Sequence, residues 1–177
     1  MNKIDFDTSF EKRKIQGRTR FKTDWKRLGQ HAGFQKTFGF KCSHCSAYVS
    51  SDEVLSGVQN RNHCPYCLWS KHVDLFEAGD RLAACKAPMQ PIGLSMKQTV
   101  KKYGQNQGEL MVVHLCRDCE SLSINRIAAD DDIDRLFELC LNTGQLDPST
   151  LNKLKESNIT WLDARHQTWL RSCLLGK

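Results

Sequence analysis

Cys42-Ser-His-Cys45 and Cys64-Pro-Tyr-Cys67, separated by eighteen residues, decide how this chain is read. A Cys-x-x-Cys step presents two thiolates from one tight turn, and two such turns supply the four ligands of a tetrahedral metal site with zinc-ribbon spacing. A third pair follows at Cys116 and Cys119, with a single Cys85 between. Those three thiols are one ligand short of a second closed site. His72 and His114 are the candidates for the fourth place. His72 is favoured: it lies five residues after Cys67 and is followed by Asp74, a carboxylate able to orient an imidazole. The expected ligands are therefore Cys42, Cys45, Cys64, Cys67, His72, Cys85, Cys116 and Cys119, holding two zinc ions. Their partition stays open at this level. The first two pairs can form one ribbon, or Cys42/Cys45 can join Cys116/Cys119 and leave Cys64/Cys67 with Cys85 and His72. Closed, cysteine-rich sites suit zinc better than iron. With no open coordination position such ions are structural, and their binding free energy is folding free energy. A redox role for Cys64/Cys67 lacks the β-α-β surroundings it would need.

Outside these pairs, Cys140, Cys173 and His166 fall on apolar helical faces and read as packing residues. Nine cysteines in 177 residues is too sparse for a disulfide scaffold. The first ten residues are polar and acidic, without the apolar core of a signal peptide, and no apolar run is long enough to span a bilayer. A reducing, cytoplasmic location is expected, with no membrane partner.

Charge is distributed unevenly. Residues 1–41 hold 11 Lys/Arg against 4 Asp/Glu; residues 42–127 hold 9 against 8; residues 128–177 hold 6 against 8. Seven metal-bound thiolates and two Zn2+ would together lower the formal charge of +6 by three. The positive character thus belongs to an N-terminal arm, residues 1–36. Within it Lys12, Arg13, Lys14, Arg18, Arg20, Lys22, Lys26 and Arg27 alternate with Phe10, Phe21, Trp25 and Phe34. Cations neutralise phosphates and release counterions, while rings stack on unpaired bases. Aromatics are sparse in tails that merely solvate. These cations, with Trp25 and with Arg61 from the core, are the expected RNA contacts.

The core is expected over residues 37–127. Residues 37–41 suit a short strand, and residues 109–115 (Glu-Leu-Met-Val-Val-His-Leu) a longer one running into the third pair. Residues 90–108 carry Pro91, Gly93, Gly104 and Gly108 with Lys97, Lys101 and Lys102, and read as a loop or hairpin with a mobile basic tip. Residues 128–177 read as helical. Ile133, Leu136, Phe137, Cys140 and Leu141 form one stripe behind an acidic start at residues 130–132. Asp147-Pro148 caps a second helix, and a third is expected over 160–174 with Leu162, His166, Trp169, Leu170 and Cys173 on one side. The fold class is α+β: a small β-rich, double-zinc, zinc-ribbon-like core with a basic N-terminal arm and a C-terminal helical cap.

One stretch carries a family signature. Arg61-Asn62-His63-Cys64-Pro65 is followed by Tyr-Cys-Leu-Trp-Ser-Lys-His-Val-Asp, then Gly79-Asp80-Arg81, Cys85, Met89-x-Pro91-Ile92, Cys116/Cys119 and Asn125-Arg126-Ile-Ala-Ala-Asp130-Asp131. This resembles the RNHCP domain family, named after that pentapeptide, over roughly residues 38–140. The resemblance implies a small zinc-binding domain and supports the same ligands; it implies little about activity. Family members usually carry Gly after the third pair, where this chain has Glu120. The arm and the last two helices lie outside the shared region. Among the signature residues, Arg61 is expected to pair with Asp74 or Asp80 or to bind phosphate, Asn62 to brace the turn, and Arg81, Asn125 and Arg126 to extend the basic surface.

A zinc-stapled platform with an arginine- and lysine-rich arm suits an RNA-binding protein, ribosomal or ribosome-associated, whose partners are ribosomal RNA or other structured RNA together with ribosomal proteins. A non-enzymatic role is expected. Two alternatives compete. One is a protein-interaction adaptor anchored by Trp161 and Trp169. The other is an HNH-like nuclease using His72, which is disfavoured because a zinc ligand cannot also act as the base.

Overall fold

The computed structural model describes residues 39–98 and 108–176. The arm with its expected RNA contacts, and the tip at residues 99–107, lie outside the described residues. The described residues all belong to one compact unit.

Two short strands, β1 (Gly39–Lys41) and β2 (Tyr48–Ser50), pair antiparallel around the first Cys-x-x-Cys turn. A one-turn helix, α1 (Glu53–Ser56), follows; Asp52 caps its start and Gly57, at φ 68°, closes it. The second sheet has the order β3-β4-β5-β6, built from Ser70–Lys71, Pro88–Lys97, Glu109–Cys116 and Leu122–Arg126, all antiparallel. A two-residue strand, β7 (Trp161–Leu162), adds to β4.

Of the two expectations for residues 90–108, a loop or a hairpin, the hairpin is the one that forms: β4 runs to Lys97 and returns as β5. Pro91 and Gly93 interrupt a strand without ending it. The register to β5 shifts between them, so Ile92 is an extra residue in a bulge, a place where proline is tolerated. Gly93 is needed there because a Cβ would come within 2.8 Å of the Thr143 hydroxyl oxygen. Alternation then sorts the sheet into two faces. Leu94 and Val112 pack with Leu68, Leu136, Cys140, Leu162 and Leu170. Ile92 and Val113 pack with Leu154, flanked by Leu122, Ile124 and Trp161.

Three further helices cover these faces: α2 (Ile133–Asn142), α3 (Pro148–Glu156) and α4 (Gln167–Leu175). Asp132 caps α2 and Asp147 caps α3, each accepting backbone N–H bonds of the first turn. The α2 stripe is narrower than its periodicity suggests: Leu136 and Cys140 are buried, while Ile133 and Leu141 remain exposed. The third expected helix begins late. Trp161 and Leu162 extend to pair with Ser95 and Leu94, Asp163 and His166 form a capping box, and only then does α4 start. Cys140 packs as expected; Cys173 is exposed, and His166 serves the cap. Trp161 and Trp169, the adaptor's expected anchors, are half-buried against the two cores. Among the described residues no helix is long and apolar enough to cross a membrane.

Candidate metal centres

Each Cys-x-x-Cys turn is built the same way. The amide of the first cysteine donates to the carbonyl five residues on: Cys42 to Ala47, Cys64 to Trp69, Cys116 to Ser121. The residue after the second cysteine turns left-handed: Ser46 at φ 63°, Leu68 at 60° and Glu120 at 57°. Lys86, which follows Cys85, repeats the conformation at 55°. This reversal folds the backbone over the sulfur and lets both thiols of a pair point the same way.

The position where the family resemblance expects glycine is thus left-handed here, with Glu120 bearing the steric cost. Its carboxylate meets Lys153 of α3, an exposed pair that solvent screens. Glu120→Gly is therefore expected to raise stability by about 0.5–1 kcal/mol, read as a higher denaturation midpoint of the zinc-loaded protein. Lys153→Ala should move that midpoint less.

The turns converge on two centres. Cys42, Cys45, Cys64 and Cys67 form one; His72, Cys85, Cys116 and Cys119 form the other, all donor atoms within a group lying inside 4.8 Å of each other. The ribbon partition holds and the interleaved one does not. In the first centre the Cys42 and Cys67 sulfurs are 3.7 Å apart and those of Cys45 and Cys64 3.6 Å. In the second, Cys85 and Cys116 are 3.6 Å apart, and His72 Nδ1 lies 3.2 Å from Cys119 Sγ. Four thiolates bound tetrahedrally at about 2.3 Å would sit about 3.8 Å apart. Both donor sets fit Zn2+.

Electrostatics agrees with that fit. The Ala47 backbone N–H holds the Cys45 thiol down to about 7, and the Ser121 hydroxyl holds Cys119 down to about 6. Burial pushes Cys64 up to about 11 and raises Cys67 as well. Such a cluster cannot hold four thiolates unaided; a dication at its centre offsets their repulsion and desolvation. His44 and Trp69 stack with ring centroids 4.2 Å apart and tie the first two turns together.

His114 is not a ligand. It is fully buried, its Nε2–H donates to the Leu68 carbonyl at 2.7 Å, and Asn125 Nδ2 donates to its Nδ1 at 2.9 Å. Burial holds its pKa down to about 3, so the ring is neutral. Asp74 does not orient His72. Its carboxylate accepts from the Gly79 and Arg81 backbone amides instead.

Arg61 requires a correction too. It turns away from Asp74, Asp80 and solvent. Its guanidinium is buried, bonded to Asp130 at 2.7 and 2.8 Å and to Asp131 at 3.2 Å, with Nε donating to the His63 carbonyl. It is not a phosphate contact. His63 Nε2 lies 2.9 and 3.0 Å from the two Asp131 oxygens, and the Ala128 amide donates to the same carboxylate. The two ends of the family signature, some seventy residues apart, therefore close on each other. Sequence reasoning placed residues 130–132 together as helix-start charges. Only Asp132 has that role. The signal available was the pairing of a cationic motif with an acidic one inside one signature. Asn62 braces its turn as expected, accepting from the Ser70 hydroxyl. Arg126 pairs with Glu109 and Arg81 lies near Asp74, so neither is a free cation.

A model of the RNHCP domain family matches residues 37–137, more than half of the chain. No curated protein and no solved structure matches it.

Proposed function

The chain belongs to the RNHCP domain family, and from that premise we propose that it is a zinc-stabilised RNA-binding protein, without enzymatic activity, that docks on ribosomal RNA through its N-terminal arm. The observation that carries this reading is the charge segregation. Residues 1–41 hold 11 cations against 4 anions, interleaved with aromatic rings, beside a near-neutral domain. Such a pattern favours many phosphate contacts over a sequence-reading helix. Closed zinc centres serve the same reading: they supply no reactive position and keep a platform rigid. The nuclease alternative loses its base, because His72 Nδ1 faces the Cys119 sulfur within a ligand cluster. The adaptor alternative is less favoured, since Trp161 and Trp169 are each half-buried against a core.

Sucrose-gradient sedimentation of native lysate at low and then high salt tests this. Co-migration with a ribosomal particle is expected, weakening as salt rises. Confinement to ribosome-free fractions at low salt would refute it. With purified protein and RNA, changing Lys12, Arg13 and Lys14 to glutamine should lower the slope of log affinity against log salt by about two to three.

A further inference from the structure

Beside the second metal centre, residues 58–63, residues 71–78 and β6 enclose a groove of about 760 Å3. A small-molecule site typically spans about 300–1,000 Å3, so the groove has room for a nucleotide. We propose that it seats an unpaired RNA base stacked on Phe76. This deepens the RNA-binding reading above and rests on it.

Phe76 is 82% exposed, yet the loop beneath it is firmly built. The Asp80 carboxylate accepts from the backbone amides of Leu75, Phe76, Glu77 and Leu82. Asp74 accepts from Gly79 and Arg81. These amide bonds hold Asp80 well below the usual carboxylate range. Gly79, at φ 90°, lets the loop close on Asn60, whose side-chain atoms lie within 2.8 Å of where a Cβ would stand. An aromatic ring held in water by a preorganised loop needs little further ordering to receive a flat partner.

The walls say what kind of partner. Asn62 Oδ1 is taken by the Ser70 hydroxyl, which leaves its Nδ2 unmatched among the described residues. Asn125 Nδ2 is taken by His114, which leaves its Oδ1 unmatched among them. Both asparagines line the groove, which thus offers an amide donor from the loop before Cys64 and an amide acceptor from β6, a combination suited to a base edge. A purely apolar side chain would leave both atoms unsatisfied on burial, at a cost. Around the rim, Lys71 and Lys97 have no carboxylate partner among the described residues, against one unpaired carboxylate, Glu77. Stacking and amide contacts to a base edge call for an unpaired base, because pairing in a duplex already occupies that edge.

The test uses the full-length, zinc-loaded protein with two probes: a short unstructured RNA of mixed sequence and a fully paired RNA duplex. Phe76→Ala should weaken the unstructured RNA by about tenfold and leave the duplex unchanged, while Phe76→Trp should retain binding. A 4-thiouridine cross-link should map to residues 74–82. Zinc content and denaturation midpoint of Phe76→Ala should match the parent, because the side chain is exposed. If the parent binds unstructured RNA and Phe76→Ala binds it equally well, the base seat is wrong while the arm's role stands. If the parent binds neither RNA, both readings fall. If Phe76→Ala loses a protein partner with RNA affinity intact, the ring is a protein anchor and the proposal is overturned.

Discussion

Removing zinc with a strong chelator is expected to unfold the region from β1 through β3 and to abolish a single cooperative thermal transition. The apolar cluster around the first centre consists of Val49 with Cys42 and Cys64, partly covered by Phe40, Ala47 and Cys67. Little hydrophobic surface there opposes chain entropy. Structural zinc binding supplies about 10–16 kcal/mol in small zinc domains, comparable to the whole stability of an ordinary domain. Without the ion the buried thiols take up protons, and the left-handed turns at Ser46 and Leu68 lose what holds them. The second centre differs. Its ligands lie between the end of β3 and the turn that precedes β6, and that sheet keeps two apolar cores of its own. Metal analysis should find two zinc ions per chain. Cys64→Ser should retain one, with amide exchange accelerated before β4 and slow exchange surviving in β4 and β5. Chelated protein with an unchanged near-ultraviolet spectrum and melting curve would show that the centres do not staple the fold.

The second large effect concerns Asp131. Its side chain is fully buried and serves the Arg61 guanidinium, the His63 ring and the Ala128 amide together. Asp131→Ala leaves a buried cation with one partner fewer and strands the other two donors. Breaking a buried ion pair by removing one member costs about 3–5 kcal/mol, and that loss is expected in chemical denaturation of the zinc-loaded protein. Asp130, whose side chain is 42% exposed, should cost distinctly less on truncation, about 1 kcal/mol. Both variants should still bind two zinc ions, which separates this clamp from the metal centres. A loss below about 1 kcal/mol for Asp131→Ala would mean that the cluster is incidental to stability.

The metal ligands were legible because a chelating turn is a local object. Two cysteines three positions apart are brought together by a few backbone dihedrals, whatever the rest of the chain does. The helix start at Asp147 was legible for the same reason, since a cap is a bond across two or three residues, and the one at Asp132 was legible to within the acidic run 130–132. β4 was legible only as one of two readings, loop or hairpin, because Pro91 and Gly93 break strands by local preference and are accommodated here by a bulge against β5 and the approach of Thr143. The late start of α4 likewise depends on β4 offering Leu94 and Ser95 to Leu162 and Trp161.

Spacing and residue type alone therefore establish that this chain holds two four-ligand zinc centres, carries its positive charge in an arm and ends in capped helices. Which turn faces which, why His72 rather than His114 completes the second centre, and where Arg61 finds its counter-charge are decided in three dimensions. Those choices join residues 19 to 70 positions apart. Their free energy comes from burial and partner satisfaction, which exist only once the sheet has brought the loops together.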